Sequence, residues 1–599
     1  MRSASKLCAI LFLATAMLAQ TSTPATTTKK TKAAAITAAD VQALKDAIAS
    51  QQQAIAQQQQ QIQELRNELH SKDQAVQQAQ STAADAASKA SAAESQASQQ
   101  QDSVTALKTD VNDMKTNINN TVMTLQDVQK TVNEPPTAVH FKGITITPGG
   151  FLAAETVRRS RALAADINTP FNSVPVPGAS AARLSEFFAS GRQSRISMLA
   201  EGKLKGAKVG GYVEADFLSA GVTSNNNESN SYTFRQRQAW AQAALDSGWT
   251  FTGGQMWSLI TETKHGVDNR TEALPMTIDP QYTVGFSWAR QYGFRVSKSV
   301  GNKVWVAVSV ENPQATLVSH NNGPNFLLGS AGAGGGLYNP TANYSFNPAP
   351  DVIAKIAFEP GFGHYEVFGV YSRFRDRVFP CGEVLTGTTC GGLTTASTFG
   401  AYDSSKDGGG FGANARWSFY NKHIDFGLHG FGGSGVGRYG TGGLPDVAVR
   451  GDGSLYLVKS LQGLSTLEWH SPKLDVYLNA GAEYAARSAS FDPKNKSLYV
   501  GYGSPFFSNV GCFSEPLPSG GGGFTPGSPA SGTCTADTRV LIEGTAGFWY
   551  RLYSGPKGRV QWGPQYSYVV RNTWSGTSAP NQPHGIDGMV FTSFRYYLP

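Results

Sequence analysis

The sequence lacks several features that would direct it toward common classes of protein. Outside a short N-terminal segment it has no long apolar run, so no segment reaches the roughly 18 residues that a transmembrane helix needs. It has no dense run of lysine and arginine, and its net charge of +7 is too small to indicate nucleic-acid binding. Its histidines form no HExxH motif and no close pair, and no GxSxG motif is present. We therefore predict no catalytic residues, no metal site and no cofactor.

Charged residues are also scarce, at 16% of the chain, whereas aromatic residues reach 11%. This balance is unusual for a soluble enzyme and typical of a membrane barrel with aromatic girdles. The composition changes along the chain. Residues before Pro135 are rich in Gln, Ala and Ser, and every Trp and Tyr lies after it. The chain is therefore expected to have two parts of different structure.

The first part begins with an export signal. Arg2 and Lys6 precede an apolar core from Leu7 to Leu18, and Ala19 offers a cleavage point, so residues 1–19 are predicted to be a signal peptide. Residues 20–40, rich in Thr, Ala and Lys, are predicted to be a disordered linker.

Residues 41–133 carry a sustained heptad repeat. Every seventh residue from Val41 to Val132 is aliphatic or alanine, and a second row that includes Leu44 and Leu65 follows three positions later. Such a pattern predicts a long α-helical coiled coil, roughly 130 Å in length. Because one helix cannot bury this stripe alone, the rod implies partner chains. Composition does not decide between two and three strands, and a solvated Gln/Ala tract is the alternative.

Beyond Glu134-Pro135-Pro136 the period changes from seven to two, and residues 140–599 are predicted to form an all-β transmembrane barrel of about sixteen antiparallel strands. Short turns alternate with long connections along this region, and the connection 262–285 is expected to fold inward and narrow the lumen. The strand candidates are 144–157, 191–203, 207–218, 232–245, 249–261, 286–299, 303–312, 351–359, 363–374, 411–419, 423–433, 455–470, 473–487, 539–553, 558–571 and 588–598.

The alternation of side chains supports a barrel. Val306, Val308 and Val310 alternate with Ala307 and Ser309, so one face of this strand is apolar and the other polar. In a membrane barrel the apolar side chains face lipid and the polar ones face the lumen. A soluble β-sandwich would bury the apolar face instead, but it would not place all its long loops at one end.

Four cysteines remain after removal of the signal peptide, in two local pairs. In an exported protein they predict disulfide bonds. Spacing favours Cys381–Cys390 and Cys512–Cys534, although four cysteines allow three pairings.

Several segments of the barrel region resemble the DcaP-like trimeric porins of Gram-negative outer membranes. They are GGYVEADFLSAG (210–221), YTFRQRQAWAQ (232–242), TGGQMWSLIT (252–261), RQYGFRVSKSVGNKVWVAVSVENP (290–313), GSGVGRYG (433–440) and RVQWGPQYSYVVRNTW (559–574). The resemblance covers most of the chain from Gly149 to Tyr597. It implies a homotrimer and the diffusion of small anions, notably dicarboxylates, through a pore with a basic lining.

Charged residues on the predicted strands are the candidates for the pore lining. Arg235 and Arg237 share a strand face, and because guanidinium groups in lipid are costly, this face is expected to point inward. There they could attract anions or form ion pairs with wall carboxylates, and the sequence leaves both open. The candidate pore-lining residues are Arg235, Arg237, Arg295, Glu214, Asp216 and Glu311.

The opposite face of that strand is expected to carry Phe234, Gln236, Gln238 and Trp240. Because glutamine is poorly suited to lipid, we expect this strand to lie at a contact between subunits.

The leading hypothesis is an outer-membrane porin for small hydrophilic solutes with a preference for anions such as dicarboxylates. It would be a homotrimer, with barrel strands in lipid and the coiled coil in the periplasm. The alternative is a structural tether that uses the rod of residues 41–133 to reach peptidoglycan or a periplasmic partner. Neither hypothesis involves nucleic acid or enzymatic activity.

Overall fold

The computed structural model describes residues 138–218, 232–301, 303–318, 320, 325–327, 347–492, 499–515, 517, 534–577 and 582–599. The predicted signal peptide (1–19), linker (20–40) and coiled coil (41–133) lie outside these residues. Within the described ranges, no helix has the length and the apolar character needed to cross a membrane.

Sixteen strands form the wall of the molecule. In chain order they are β1 (Ile144–Arg159), β2 (Arg195–Leu204), β3 (Ala207–Asp216), β4 (Arg235–Leu245), β5 (Trp249–Trp257), β6 (Arg290–Val300), β7 (Val304–Glu311), β8 (Asp351–Phe358), β9 (His364–Val378), β10 (Tyr402–Phe419), β11 (Ile424–Ser434), β12 (Lys459–His470), β13 (Leu474–Ala485), β14 (Thr538–Gly555), β15 (Gly558–Thr573) and β16 (His584–Tyr597).

Each strand pairs antiparallel with the next one along the chain, and the sheet closes on itself. Closure occurs between β1 and β16, where Phe151–Arg159 pairs with Met589–Tyr597. The first half of β1 pairs with β2 from Ile144 to Phe151. A closed barrel has no free edge, so every strand can satisfy its backbone hydrogen bonds within the sheet. The prediction of a sixteen-stranded antiparallel barrel is confirmed.

Several strands are longer than predicted at the end that carries the long connections. The prediction ends the ninth strand at residue 374 and starts the tenth at 411, but β9 extends to Val378 and β10 begins at Tyr402. The extension pairs Arg377 with Asp403 and Arg373 with Asp407. Because charged residues occupy the outward positions of these extensions, they lack the alternation of apolar and polar residues that marks the other strands.

The two faces of the wall differ in polarity. In β7 the alternate residues Val306, Val308 and Val310 are 40–46% exposed on the outside, whereas Ser309 and Glu311 are buried inside. An apolar exterior around a charged interior is the arrangement that a barrel needs in lipid.

Aromatic side chains surround the end of the barrel that carries the short turns. Six exposed examples are Trp249, Phe358, Phe362, Tyr420, Trp469 and Tyr553. Such rings are suited to the boundary between lipid and water. β1 begins here and β16 ends here, so the chain enters and leaves the barrel at the short-turn end.

The long connections lie at the other end, and three of them place residues inside the barrel. These are 160–185, 258–289 and 435–458, whose apolar side chains are largely buried. Two disulfide bonds close outer connections: Cys381–Cys390 after β9 and Cys512–Cys534 between β13 and β14. These are the pairings that the spacing favours.

Candidate functional site

The connection between β5 and β6, residues 258–289, forms an inward loop that crosses the barrel interior. It leaves the wall after Trp257 and reaches β9 at Thr263, whose N–H donates to Glu366. It then reaches the β14 and β15 walls, where the N–H of Val284 donates to Glu543 and that of Ile278 to Gln565. Contacts on both sides of the lumen confirm the prediction that this segment folds inward.

Four wall carboxylates hold the inward loop by accepting hydrogen bonds from its backbone. Glu311 accepts from Leu259 at 2.9 Å, and Glu366 accepts from Thr263 at 3.0 Å. On the opposite wall, Glu543 accepts from Val284 at 2.7 Å and Glu483 from Gly285 at 2.9 Å. A buried backbone N–H without an acceptor is costly, and a charged acceptor gives a stronger bond than a neutral one. The four acceptors therefore fix the path of the loop.

Glycines allow the loop backbone to touch the wall. A side chain at Gly481 of β13 would lie 1.7 Å from the carbonyl oxygen of Val284. Gly285 has a φ of +91°, and a side chain there would lie 2.0 Å from the carbonyl oxygen of Gly463. The loop can approach β12 and β13 this closely only because no Cβ stands between the two backbones.

Aromatic packing adds to these polar contacts. Trp257, Tyr282, Phe286 and Leu274 form one buried cluster, with Trp288 packed against it. The rings of Trp257 and Trp288 meet edge to face with their centroids 5.8 Å apart. The cluster also contains Leu464 of β12, and Trp257 is the last residue of β5, so this packing joins the loop to the wall inside a polar lumen.

Burial changes the acidity of two carboxyl groups on the inward loop. It raises the pKa of Glu272 to about 7, against the opposing influence of Arg295 and Arg270. Burial also raises the pKa of Asp279 well above its usual value, although Thr169 donates a hydrogen bond to it at 2.6 Å. Glu272 thus changes its charge near neutral pH.

Four of the predicted pore-lining residues form one ion-pair cluster on β3 and β4. Arg237 lies between two carboxylates, with Nε 2.8 Å from Glu214 and Nη1 2.7 Å from Asp216, and all three side chains are fully buried. Arg235 contacts Asp216 at 2.9 Å and is 13% exposed. Arg195 of β2, which the sequence analysis missed, lies 3.4 Å from Glu214. Of the two roles that the sequence leaves open for Arg237, attraction of anions or ion pairing with wall carboxylates, its geometry is that of an ion pair.

A β-bulge in β4 changes which of its side chains point inward, compared with the prediction. Glu214 pairs with Gln238 while the adjacent Ala215 pairs with Gln236, so Arg237 is an extra residue on β4. The bulge reverses the alternation beyond it. Gln238 and Trp240 are therefore buried inside, and only Gln236 and Phe234 are exposed as expected. The expectation that Gln238 and Trp240 face outward is wrong, and so is the part of the subunit-contact argument that rests on them.

The remaining two candidates, Arg295 and Glu311, attach the inward loop to the wall. Nη1 of Arg295 donates to Asn269 at 2.7 Å and Nη2 donates to the carbonyl oxygen of Trp257 at 2.5 Å. Glu311 accepts from Leu259, as described above, and from Ser309 at 2.7 Å. The structure thus brings Arg295 and Glu311 to the loop and the other four candidates to a separate cluster.

Several charged residues with a structural role at the site were not predicted. Lys355 of β8 contacts Glu366 of β9 at 3.0 Å, and Arg416 of β10 contacts Glu262 of the inward loop at 3.0 Å. Each of these wall residues occupies an inward position in the alternation of β8, β9 or β10, and this alternation is a signal that could have indicated them. Glu483 also has a polar-face position on its strand, but nothing local indicates that it binds a loop almost 200 residues earlier in the chain.

Comparison with known proteins gives a likeness of fold. No protein-family model matches the chain, and no curated protein matches its sequence. Among solved structures, it is similar to the outer membrane channel DcaP of Acinetobacter baumannii, with a TM-score of 0.50 and 13% identity over 77% of this chain and 100% of that chain. The predicted resemblance to DcaP is thus found again in three dimensions.

Two porins give lower scores. An anion-selective porin from Comamonas acidovorans has a TM-score of 0.39 and 10% identity, over 76% of this chain and 100% of that chain. Salmonella typhi OmpF has a TM-score of 0.39 and 9% identity, over 77% of this chain and 100% of that chain. Because these scores are low, we base no argument on them. At 13% identity, the likeness to DcaP shows the fold alone.

Proposed function

We propose that the protein is an outer-membrane porin that lets small hydrophilic solutes diffuse passively across the membrane. The observation that supports this most directly is the closed sixteen-stranded barrel with an apolar exterior, a charged interior and an inward loop bound to opposite walls. A barrel of this size encloses more space than wall side chains can fill. The inward loop takes part of that space and would set the size and charge of the passage.

A preference for anions such as dicarboxylates is part of the proposal, and it rests on Arg235, one of the residues first expected, and on Arg270, which was not expected. Arg237 is neutralised by Glu214 and Asp216, so it contributes little field to the lumen. Arg235 keeps some exposure. Arg270 of the inward loop is half-buried, with its guanidinium 5.0 Å from the centre of the Tyr212 ring. Partly exposed guanidinium groups of this kind bind anions weakly enough to release them.

We further propose a homotrimer in the outer membrane with the coiled coil in the periplasm. The short turns of outer-membrane barrels face the periplasm. Because β1 begins at the short-turn end, the residues that precede it would lie on that side. A heptad-bearing rod there could bring three chains together and could also act as a spacer toward the cell wall.

The decisive experiment is conductance of the purified full-length protein in a planar lipid bilayer. We expect discrete steps of current and, across a salt gradient, a reversal potential that indicates anion preference. Replacing Arg235 and Arg270 with glutamine should shift this potential toward cation preference, more strongly in dilute salt, where screening is weaker.

Arg373→Gln serves as the matched control, because this arginine is exposed on the outside of β9 beside Asp407. It should leave the reversal potential unchanged. Absence of current from correctly folded barrels would overturn the porin proposal and favour the tether. An unchanged potential in the Arg235/Arg270 variant would overturn only the anion preference.

A further inference from the structure

A cluster of metal-binding side chains lies inside the barrel wall near the short-turn end. Asp425, close to the start of β11, pairs directly with Glu468 of β12, and His470 follows on the same strand. Because residues two apart on a strand share a face, Glu468 and His470 both point inward beside Asp425. Asp425 and Glu468 are buried, and the side chain of His470 is 22% exposed, so solvent reaches the cluster at His470.

The three side chains point one ligand atom each toward a common centre. Nε2 of His470 lies 3.6 Å from Oδ2 of Asp425 and 3.5 Å from Oε2 of Glu468, and all three atoms lie within 4.8 Å of one another. Ligand atoms around a tetrahedral zinc ion are separated by about 3.3–3.6 Å, given bonds of about 2.0–2.2 Å. Two of the separations in the cluster are thus close to those of a formed site.

The environment of Glu468 supports this interpretation independently. Its side chain is 1% exposed, and Oε2 accepts no hydrogen bond from the described residues. The nearest cationic atoms, on His470 and Arg416, are 3.5 Å and 3.8 Å away, too far for strong hydrogen bonds. His470 and Arg416 stabilise this carboxylate through their charge, and Oε2 keeps a lone pair for a directly bound ligand.

Outer partners hold two of the ligands in position. Nδ1 of His470 lies 3.2 Å from Asp475 of β13, which is itself paired with Arg551. Ser418 of β10 donates to Oδ1 of Asp425 at 2.6 Å and leaves Oδ2 directed toward the cluster. A carboxylate that binds the far nitrogen of a histidine, and a hydrogen bond to a ligating carboxylate, are the usual supports of zinc ligands.

We propose that Asp425, Glu468 and His470 form a binding site for one divalent cation of the Zn²⁺ type, with water in the fourth position. One imidazole and two carboxylates are ligands that Zn²⁺ accepts, whereas Mg²⁺ and Ca²⁺ prefer sites built from oxygen alone. No local motif in the sequence indicates the site, because Asp425 and His470 lie on different strands. Arg416 and Lys264 act electrostatically on the carboxylates and lower the affinity for a cation.

The test uses the full-length protein, folded in detergent with any affinity tag removed. Calorimetry should show one Zn²⁺ bound per chain, and Co²⁺ should give an absorption spectrum typical of mixed nitrogen and oxygen ligands. Asp425→Asn and His470→Gln should each weaken binding at least about tenfold, and Asp475→Asn by about 10- to 100-fold through loss of the outer partner. Lys264→Gln should strengthen it by removing a positive charge.

His584→Gln is the matched control, because this histidine is exposed on β16 and has no place in the cluster. It should leave both the affinity and the stoichiometry unchanged. If a ligand variant fails to fold, the Co²⁺ spectrum of the wild-type protein and the affinity of the Lys264→Gln variant still test the proposal. The proposal is overturned if the wild-type protein binds no Zn²⁺, or if His470→Gln binds it as tightly as the wild type does.

Discussion

Replacing Arg237 with glutamine should destabilise the barrel far more than removing an exposed arginine with the same kind of contact. Arg237 contacts Glu214 at 2.8 Å and Asp216 at 2.7 Å, and all three side chains are fully buried. Its removal leaves buried carboxylates short of a positive partner, a change that typically costs about 3–5 kcal/mol. Arg235 and Arg195 still contact these carboxylates, so we expect a loss near the lower limit, about 3 kcal/mol.

Arg377→Gln provides the comparison. Arg377 contacts Asp403 at the same distance of 2.7 Å, but these side chains are 47% and 52% exposed, so its loss should cost less than about 1 kcal/mol.

Urea-dependent unfolding in lipid vesicles, followed by tryptophan fluorescence and checked by heat-dependent migration on gels, measures these free energies. The reasoning is refuted if Arg237→Gln and Arg377→Gln unfold at the same urea concentration.

Three other predictions concern a titrating carboxyl group, a disulfide bond and the assembly of the chain. Burial raises the pKa of Glu272 to about 7 from the usual 4.5, so its contribution to stability is present below pH 4.5 and is lost as the pH rises through 7. Glu272→Gln should therefore flatten the fall in unfolding temperature between pH 5 and pH 8, and an unchanged slope would contradict the assignment. Replacing Cys512 and Cys534 with serine should lower the free energy of unfolding by about 3 kcal/mol, because the unfolded chain gains entropy when the cross-link is lost. The same change should speed protease cleavage between β13 and β14. Equal cleavage rates would show that the disulfide does not restrain this connection. Cross-linking or native mass measurement should detect trimers, and only monomers from protein with residues 41–132 intact would contradict the predicted assembly.

The strands of the barrel could be predicted because their information is local. Alternation with period two, as in Val306 to Val310, together with short turns, places most strands within a few residues of their observed positions. The inward loop followed from its place between the fifth and sixth strands, and the disulfide pairs followed from proximity along the chain. The charged extension of β9 and β10 was missed because it has no apolar face.

The sequence by itself thus determined the number of strands, their order and the inward direction of six charged side chains. Only the tertiary structure decided which charges neutralise one another. The bulge at Arg237 shifts the register by one residue and turns Gln238 and Trp240 inward, which no periodic pattern reveals. Glu483 reaches Gly285, and Asp425 meets His470, because the closed wall brings distant strands and loops together. Alternation specifies the face to which a side chain points, whereas its partner depends on the three-dimensional closure of the barrel and the path of the loop inside it.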